Sequence, residues 1–231
     1  MKPTLILVPG LLCDELVWKH QLVAFADSHV VQVPDVSGEA TLGTMAERIL
    51  ATAPERFAIA GHSLGGRITL EVARRAPQRL THVGLFDTGA GPVGASEEAS
   101  RMELVRLAET DGLAAVARVW LPPMLHPARR RDPDFLAPLE AMVKGRSVAS
   151  FRRQQQALLA RPDARPVLPS LRCPTLVLTG REDEWSPPAQ HAAIAAVIPG
   201  ATLVVVPDAG HFAPLEQPAA VTAAMRDWLA R

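Results

Sequence analysis

Several features that define other protein classes are scarce in this chain of 231 residues. It has two cysteines, Cys13 and Cys173, and no tyrosine. Two thiols so far apart form no disulfide framework and offer no C-x-x-C metal motif, so we expect free thiols and no bound metal. The formal net charge is +0, which argues against a nucleic-acid-binding protein. No apolar run approaches the roughly 18–20 residues that a membrane span needs.

The chain does contain a series of short apolar runs that end at turn residues. They cover residues 4–8, 30–36, 57–60, 82–86, 175–179 and 202–206. Most are continuously apolar, which is typical of strands covered on both faces in a parallel sheet. Helical patterns lie between them at 16–27, 44–53, 64–76, 187–197 and 219–230, with Thr44 as the predicted N-cap of the second. This alternation predicts an α/β fold, a parallel sheet flanked by helices.

One region interrupts the alternation. Between about residues 91 and 165 no strand pattern occurs, and helical patterns replace it near 96–110, 112–120, 133–143 and 147–160. A helical block between two parallel strands is either a long crossover or an inserted cap. We interpret residues 1–91 and 166–231 as the core and residues 92–165 as a helical cap inserted in it. Arginines in the block, such as Arg130 and Arg153, are most simply interpreted as lying on a solvent-exposed face. The alternative is that they form a patch that binds an acidic partner.

The sharpest chemical signal is GHSLG at residues 61–65, which fits the pattern G-x-S-x-G. It lies between the predicted strand 57–60 and the predicted helix 64–76. A strand that reverses abruptly into a helix holds the serine in a strained turn, and the flanking glycines remove Cβ atoms that would clash there. The pattern therefore predicts that Ser63 is a nucleophile, and the alternative is an ordinary strand-to-helix turn.

A serine hydroxyl is a weak nucleophile unless a histidine, oriented by a carboxylate, removes its proton. Among the seven histidines, His211 lies in the loop after the last predicted strand. Asp183, in the loop after the strand 175–179, is the predicted acid. Asp87, at the end of the strand 82–86, is the runner-up, and Asp208 fits a turn. These positions all follow parallel strands, and the carboxyl ends of such strands are where α/β sheets build their sites.

The order nucleophile, acid, base belongs to one particular fold. The chain resembles the α/β-hydrolase superfamily, in the branch of small esterase-like serine hydrolases with a helical cap. Four segments carry the resemblance: PGL at 9–11, GHSLGG at 61–66, GREDEWSP at 180–187 and GHFAPLEQP at 210–218. The resemblance implies a triad of Ser63, Asp183 and His211. It also implies an oxyanion hole formed by the backbone N–H groups of Leu11 and Leu64.

The chain departs from the family pattern in two places. Many members carry two extra strands ahead of the one at 4–8, and this chain has no residues for them, so we expect about six strands. The strand 30–36 would then be an edge, where Pro34 discourages further pairing. Pro9 stands where the family often has a histidine, which affects the fine shape of the oxyanion hole.

The resemblance implies a serine hydrolase that cleaves a small to medium carboxylic ester or thioester through an acyl-enzyme, without a cofactor. A lactonase or a carbon–carbon bond hydrolase would use the same triad, and a non-catalytic binding protein could keep the scaffold. The expected partner is a small ester-like molecule, with neither nucleic acid nor membrane. We expect Trp120, Met124 and Leu125 to line the substrate pocket, and packing of the cap onto the core is an equally simple role for them.

The first residues admit a second interpretation, a short export signal with Lys2 ahead of an apolar run. The run at 5–8 is shorter than the roughly 7–15 residues of a signal core, and Leu12 is not the small residue that a cleavage site needs. The sheet and the oxyanion hole also require the strand 4–8 and Leu11. We therefore expect this segment to be retained in a cytoplasmic protein.

Overall fold

Six parallel strands form one sheet in the computed structural model, which describes residues 2–231. The strands are β1 (Thr4–Val8), β2 (Val30–Gln32), β3 (Phe57–His62), β4 (Leu80–Phe86), β5 (Thr175–Gly180) and β6 (Thr202–Val206). Their order across the sheet is β2-β1-β3-β4-β5-β6. This is the α/β fold of about six strands, a parallel sheet flanked by helices, that the sequence predicts. Since all strands are parallel, their carboxyl ends meet at one edge, and the loops after β1, β3, β4, β5 and β6 converge there.

The strand β2 is shorter than its sequence pattern predicts. It pairs only with β1, with Val30 beside Thr4 and Gln32 beside Ile6. The predicted end at residue 36 is wrong, and Pro34, which has no N–H to donate, lies just beyond the observed end. The strand is the edge of the sheet on this side, as expected.

Nine α-helices accompany the sheet within residues 2–231. They are α1 (Lys19–Phe25), α2 (Leu42–Thr52), α3 (Leu64–Arg75), α4 (Glu97–Trp120), α5 (Pro133–Lys144), α6 (Val148–Leu159), α7 (Pro188–Val197), α8 (Ala213–Glu216) and α9 (Pro218–Leu229). The N-cap of α2 is Thr41, whose Oγ1 accepts a hydrogen bond from the Thr44 N–H at 3.0 Å. The prediction of Thr44 as N-cap is therefore wrong. Glu47, three residues after Thr44, makes no cap within residues 2–231 and forms an ion pair with Arg75 at 2.6 Å.

The helices α4, α5 and α6 lie between β4 and β5 in the chain, and residues 92–165 contain no strand. The helical run of α4 is broken at Gly112, which has φ 77° and ψ 173°. This break is where the sequence separates two helical patterns. Buried residues of α4 and α6, including Val116 and Phe151, join the same hydrophobic core as the sheet. The block is thus packed onto the core near the carboxyl ends of the strands.

The inner strands explain why the apolar runs do not alternate. All residues of β3 and β5 are buried, because helices cover both faces of the sheet. Within residues 2–231, no helix combines the length and the apolar character needed to cross a bilayer.

Candidate active site

Ser63 lies in a sharp turn between the end of β3 and the start of α3. Its backbone has φ 55° and ψ −115°, a strained conformation for a residue with a side chain. The turn is closed by two glycines. A Cβ atom at Gly61 would lie 2.1 Å from the carbonyl oxygen of Gly65, and one at Gly65 would lie 2.2 Å from the carbonyl oxygen of Val8. The glycines therefore permit the close approach that holds Ser63 in this turn.

The structure brings the three predicted triad residues together. The Ser63 Oγ lies 2.8 Å from Nε2 of His211, and Nδ1 of His211 lies 2.8 Å from Oδ2 of Asp183. A carboxylate can only accept, so Nδ1 carries the proton and Nε2 is left free to accept from the hydroxyl. His211 and Asp183 are 1% and 2% exposed, so water competes little for these hydrogen bonds.

The Asp183 carboxylate is held by more than His211. Its Oδ1 accepts hydrogen bonds from the backbone N–H groups of Trp185 at 2.9 Å and Ser186 at 2.8 Å. Burial acts to raise the pKa of Asp183, but the charge and hydrogen bond of His211 and the Ser186 N–H outweigh it and lower that pKa. Asp183 is therefore ionised and able to orient the imidazole.

The runner-up acid, Asp87, occupies a different position. It is fully buried, its Oδ1 accepts from the Gly180 N–H at 2.9 Å, and it makes no hydrogen bond to His211 within residues 2–231. Burial, followed by the charge of Asp183, raises the pKa of Asp87 well above its usual value. Asp208 has φ 56° in the turn after β6, which matches the turn role predicted for it.

Two residues beside His211 fix its backbone. His62 is buried, and its Nε2–H donates to the His211 carbonyl oxygen at 2.7 Å. Burial, then the nearby His211, lowers the pKa of His62 to about 3, so this ring is neutral. From the other side, the Met124 carbonyl oxygen accepts from the His211 N–H at 2.7 Å. The helical block thus contributes directly to the position of His211.

Glu216 is a site residue that the sequence reasoning missed. Its Oε1 accepts from the N–H groups of Gly210 at 2.9 Å and Phe212 at 3.3 Å, on either side of His211. Its Oε2 accepts from the His126 N–H at 2.7 Å and so ties this loop to the helical block. The available signal was the glutamate inside the segment GHFAPLEQP, an acidic residue among apolar ones.

The two N–H groups predicted to form the oxyanion hole lie beside Ser63. Leu11 and Leu64 are buried and line the same cavity as Ser63. Neither N–H donates a hydrogen bond to another group in residues 2–231. Two N–H groups without a protein partner beside a serine are free to donate to a ligand oxygen.

The loop that carries Leu11 is held by the helical block. Leu12 has φ 57°, and its N–H donates to Oε1 of Gln154 in α6 at 3.0 Å. Gln154 is buried, 4% exposed. The packing of α6 therefore fixes the turn after β1 in which the Leu11 N–H lies.

A cavity of about 370 Å³ opens above Ser63. Of the three predicted pocket residues, Trp120 and Met124 lie in its wall. Leu125 does not lie there, and its side chain is fully buried in the hydrophobic core, so this part of the prediction is wrong. The wall also contains Arg67, Arg101, Arg161 and Glu97, which the sequence reasoning did not place at the site. Residues 2–231 contain no cluster of histidine, cysteine and carboxylate side chains suited to a metal ion.

Solved structures resemble this chain over its full length. A thermophilic esterase from Thermogutta terrifontis, described as malate bound, is 30% identical with a TM-score of 0.90, covering 100% of this chain and 90% of its own. The enol-lactonase from Burkholderia xenovorans LB400 is 26% identical with a TM-score of 0.91, covering 100% of this chain and 92% of its own. The resemblance thus includes an esterase and an enol-lactonase.

Known proteins with similar sequences include another esterase. The pimeloyl-[acyl-carrier protein] methyl ester esterase of Vibrio campbellii is 29% identical over 80% of this chain and 78% of its own length. The chain spans only 11% of another relative, a polyketide synthase of Burkholderia thailandensis, and 66% of two relatives from Klebsiella species. The model of the alpha/beta hydrolase family matches residues 5–224. This chain is a member of the alpha/beta hydrolase family.

Proposed function

We propose that this chain is a serine hydrolase that cleaves a small to medium carboxylic ester or thioester through an acyl-enzyme on Ser63. One observation carries the proposal. The hydrogen bonds from Ser63 to His211 and from His211 to Asp183, both 2.8 Å, give the serine proton an acceptor in Nε2 and give the resulting imidazolium a carboxylate partner. A serine with no catalytic task needs neither the strained backbone nor the buried imidazole beside it.

The first half of the reaction follows from this geometry. As the Ser63 hydroxyl attacks the carbonyl carbon, its proton passes to Nε2 of His211. The imidazolium that forms is stabilised by the ionised Asp183, which accepts from Nδ1–H. The carbonyl oxygen becomes negative, and the unpaired N–H groups of Leu11 and Leu64 donate to it. Collapse of this intermediate expels the alcohol or thiol, which takes its proton from Nε2.

The second half repeats these steps with water. His211 removes a proton from a water molecule, which attacks the acyl carbon of the ester on Ser63. The same two N–H groups stabilise the second oxyanion. Collapse releases the carboxylic acid, and the proton on Nε2 returns to the Ser63 oxygen. Proton transfer of this kind contributes about 10²–10⁴-fold to such a rate, and one oxyanion donor about 10²–10³-fold.

The similar esterases support an ester as the substrate. The similar enol-lactonase supports a second candidate, because a lactone is a cyclic ester that the same steps would open. A carbon–carbon bond hydrolase remains the third candidate, since it would use the same triad. A panel of aliphatic esters, lactones and vinylogous diketones separates the three, and we expect the open-chain esters to have the highest kcat/KM.

Substitution of the nucleophile tests the proposal. Ser63→Ala should lower kcat on p-nitrophenyl butyrate by more than about 10⁴-fold, as loss of a serine nucleophile does in hydrolases with this triad. The control is Ser100→Ala, which removes an exposed hydroxyl from α4 and should leave kcat unchanged. Circular dichroism should show both variants folded. A folded Ser63→Ala variant with wild-type turnover would refute the proposal, as would a wild-type chain inactive on the whole panel.

A further inference from the structure

The cavity above Ser63 contains charged side chains that the proposed reaction does not use. They are Arg67 in α3, Glu97 and Arg101 in α4, and Arg161 just after α6. No other charged side chain among residues 2–231 lines the cavity, so its wall carries three guanidinium groups against one carboxylate. Buried charges need a partner of opposite charge. A wholly apolar acyl chain would not supply one for this excess of positive charge.

The single carboxylate, that of Glu97, already has two guanidinium partners. Glu97 accepts two hydrogen bonds from Arg161, at 2.7 and 2.6 Å, and one from Nε of Arg101 at 2.7 Å. Burial acts to raise the pKa of Glu97, but the bonds from Arg161, from the Gly94 N–H and from Arg101 lower it to about 2. Glu97 is thus fully ionised, and its two oxygens face Arg161 and Arg101 rather than Arg67.

Arg161 and Arg101 have structural partners besides Glu97. Arg161 also donates to the carbonyl oxygens of Gly91, Pro92 and Leu158, and its side chain is 3% exposed. Arg101 donates to Oε1 of Gln155 at 2.8 Å. These two arginines therefore join α4, α6 and the loop after β4, and that structural role is sufficient to explain them.

Arg67 is different. Its guanidinium makes one hydrogen bond, from Nη1 to the Gly91 carbonyl oxygen at 2.9 Å, and pairs with no carboxylate among residues 2–231. Burial, followed by the charge of Arg161, lowers the pKa of Arg67 to about 9. An arginine has five N–H donors, so most of those on Arg67 are unused. The group is half-buried, in a cavity wall, and lacks an anion.

Arg67 is also placed where a substrate can reach it. It lies in the first turn of α3, four residues after Ser63, and both residues line the same cavity. Its Nη2 would be 2.8 Å from a Cβ atom at Gly89, so the absence of a side chain there leaves room for the guanidinium. The triad carboxylate Asp183 does not line the cavity and is hydrogen-bonded to His211, so it is no partner for Arg67.

We propose that Arg67 binds a carboxylate of the substrate, so that the ester cleaved at Ser63 carries a second, anionic end on its acyl side. The inference rests on the proposed hydrolase function and specifies its substrate class as hemi-esters of short dicarboxylic acids. A guanidinium binds a carboxylate through two parallel N–H···O bonds, which would fix the acyl chain with its carbonyl at Ser63.

A matched pair of esters tests this substrate class. Mono-p-nitrophenyl adipate and p-nitrophenyl hexanoate have acyl chains of the same length and differ in the terminal carboxylate. The wild type should have a kcat/KM at least about 10-fold higher for the adipate ester, and this ratio should fall as salt is added. The variant Arg67→Gln should lower the ratio by about 10–100-fold, because a hydrogen-bonded charge pair is lost. Arg118→Gln, an exposed charge on α4, is the control and should leave the ratio unchanged.

Direct binding separates failure of this inference from failure of the hydrolase proposal. Calorimetry should show that Ser63→Ala binds monomethyl adipate at least about 10-fold more tightly than Ser63→Ala/Arg67→Gln does. If the wild type hydrolyses both nitrophenyl esters with a ratio near one, or if Arg67→Gln leaves the ratio unchanged, the carboxylate site is refuted and the hydrolase stands. If neither ester is hydrolysed, equal affinities of the two Ser63→Ala proteins would refute the carboxylate site independently.

Discussion

Asp87 follows β4 and Asp183 follows β5, two strands that pair in the sheet. The surroundings of the two carboxyl groups shift their pKa values in opposite directions. Asp183 is hydrogen-bonded to His211 and two N–H groups, and its pKa is lowered. Asp87 accepts from one N–H, its Oδ2 has no partner within residues 2–231, and burial raises its pKa. Asp183 alone of the two is hydrogen-bonded to His211, and its lowered pKa keeps it ionised, so Asp183 is the group that stabilises an imidazolium on His211.

The two aspartates should respond differently to the same substitution. Asp183→Asn should lower kcat by about 10³–10⁴-fold, because an asparagine would favour the wrong tautomer of His211. Asp87→Asn should change kcat by less than about threefold, since an amide closely resembles the protonated carboxyl group that it replaces. Steady-state kinetics on p-nitrophenyl butyrate measures both. A larger loss in Asp87→Asn than in Asp183→Asn would identify Asp87 as the acid.

The raised pKa of Asp87 also predicts a pH dependence of stability. The unfolded chain releases this proton near pH 4, whereas the folded chain keeps it to higher pH, so the folded state binds more protons. The contribution of Asp87 to stability then falls as pH rises from about 4, by at most about 1.4 kcal/mol per pH unit. Asp87→Asn removes this titrating group. The unfolding free energy of Asp87→Asn minus that of the wild type should therefore be larger at pH 8 than at pH 4. Urea unfolding at both pH values measures it, and a constant difference would contradict the assigned pKa shift.

Gln154 couples the helical block to the oxyanion hole. Gln154→Leu removes the acceptor of the Leu12 N–H and should let the turn that carries Leu11 relax. We expect kcat to fall by about 10-fold with little change in KM, because the lost interaction acts mainly on the oxyanion. Gln156→Leu, exposed on the same helix, is the matched control. A change in KM alone would mean that Gln154 shapes the pocket instead of the oxyanion hole.

The glycines of the elbow should tolerate no side chain. Gly65→Ala would place a Cβ atom 2.2 Å from the backbone oxygen of Val8, so β1 or α3 must move. We expect a loss of at least about 1–3 kcal/mol in unfolding free energy, as overpacking typically causes. A Cβ atom at Gly38 would have no neighbour within 4 Å among residues 2–231, so Gly38→Ala should be neutral within about 0.5 kcal/mol. Equal stability of the two variants, from urea unfolding, would show that the elbow is looser than these distances imply.

The sequence predicts the sheet and the triad geometry well because their signals are local. Each buried strand is a continuous apolar run, and Ser63, Asp183 and His211 lie one, three and five residues after the ends of β3, β5 and β6. Chain order alone does not choose among Asp87, Asp183 and Asp208, and the hydrogen bond to His211 identifies Asp183. The errors are local as well. The predicted end of β2 lies too far along the chain, past Pro34, and the N-cap of α2 is one turn earlier than predicted.

The charged side chains in the cavity wall could not be predicted from local sequence patterns. Arg67, Arg101 and Arg161 are far apart in sequence, and hydropathy assigns each to a solvated face. They meet only because α4 and α6 fold over the carboxyl edge of the sheet, and periodicity does not give the direction of that packing. The hydrogen bonds of Gln154 and Glu216 depend on the same tertiary arrangement.

The central claim is that Ser63 is the nucleophile, and covalent labelling tests it most directly. The protein is incubated with a fluorophosphonate, and the intact mass is measured before peptides are mapped. We predict one adduct per chain, on Ser63, and none on Ser63→Ala. Asp183→Asn should be labelled much more slowly than wild type. An adduct on another residue, or sustained ester hydrolysis by a protein fully labelled elsewhere, would contradict the assignment of Ser63.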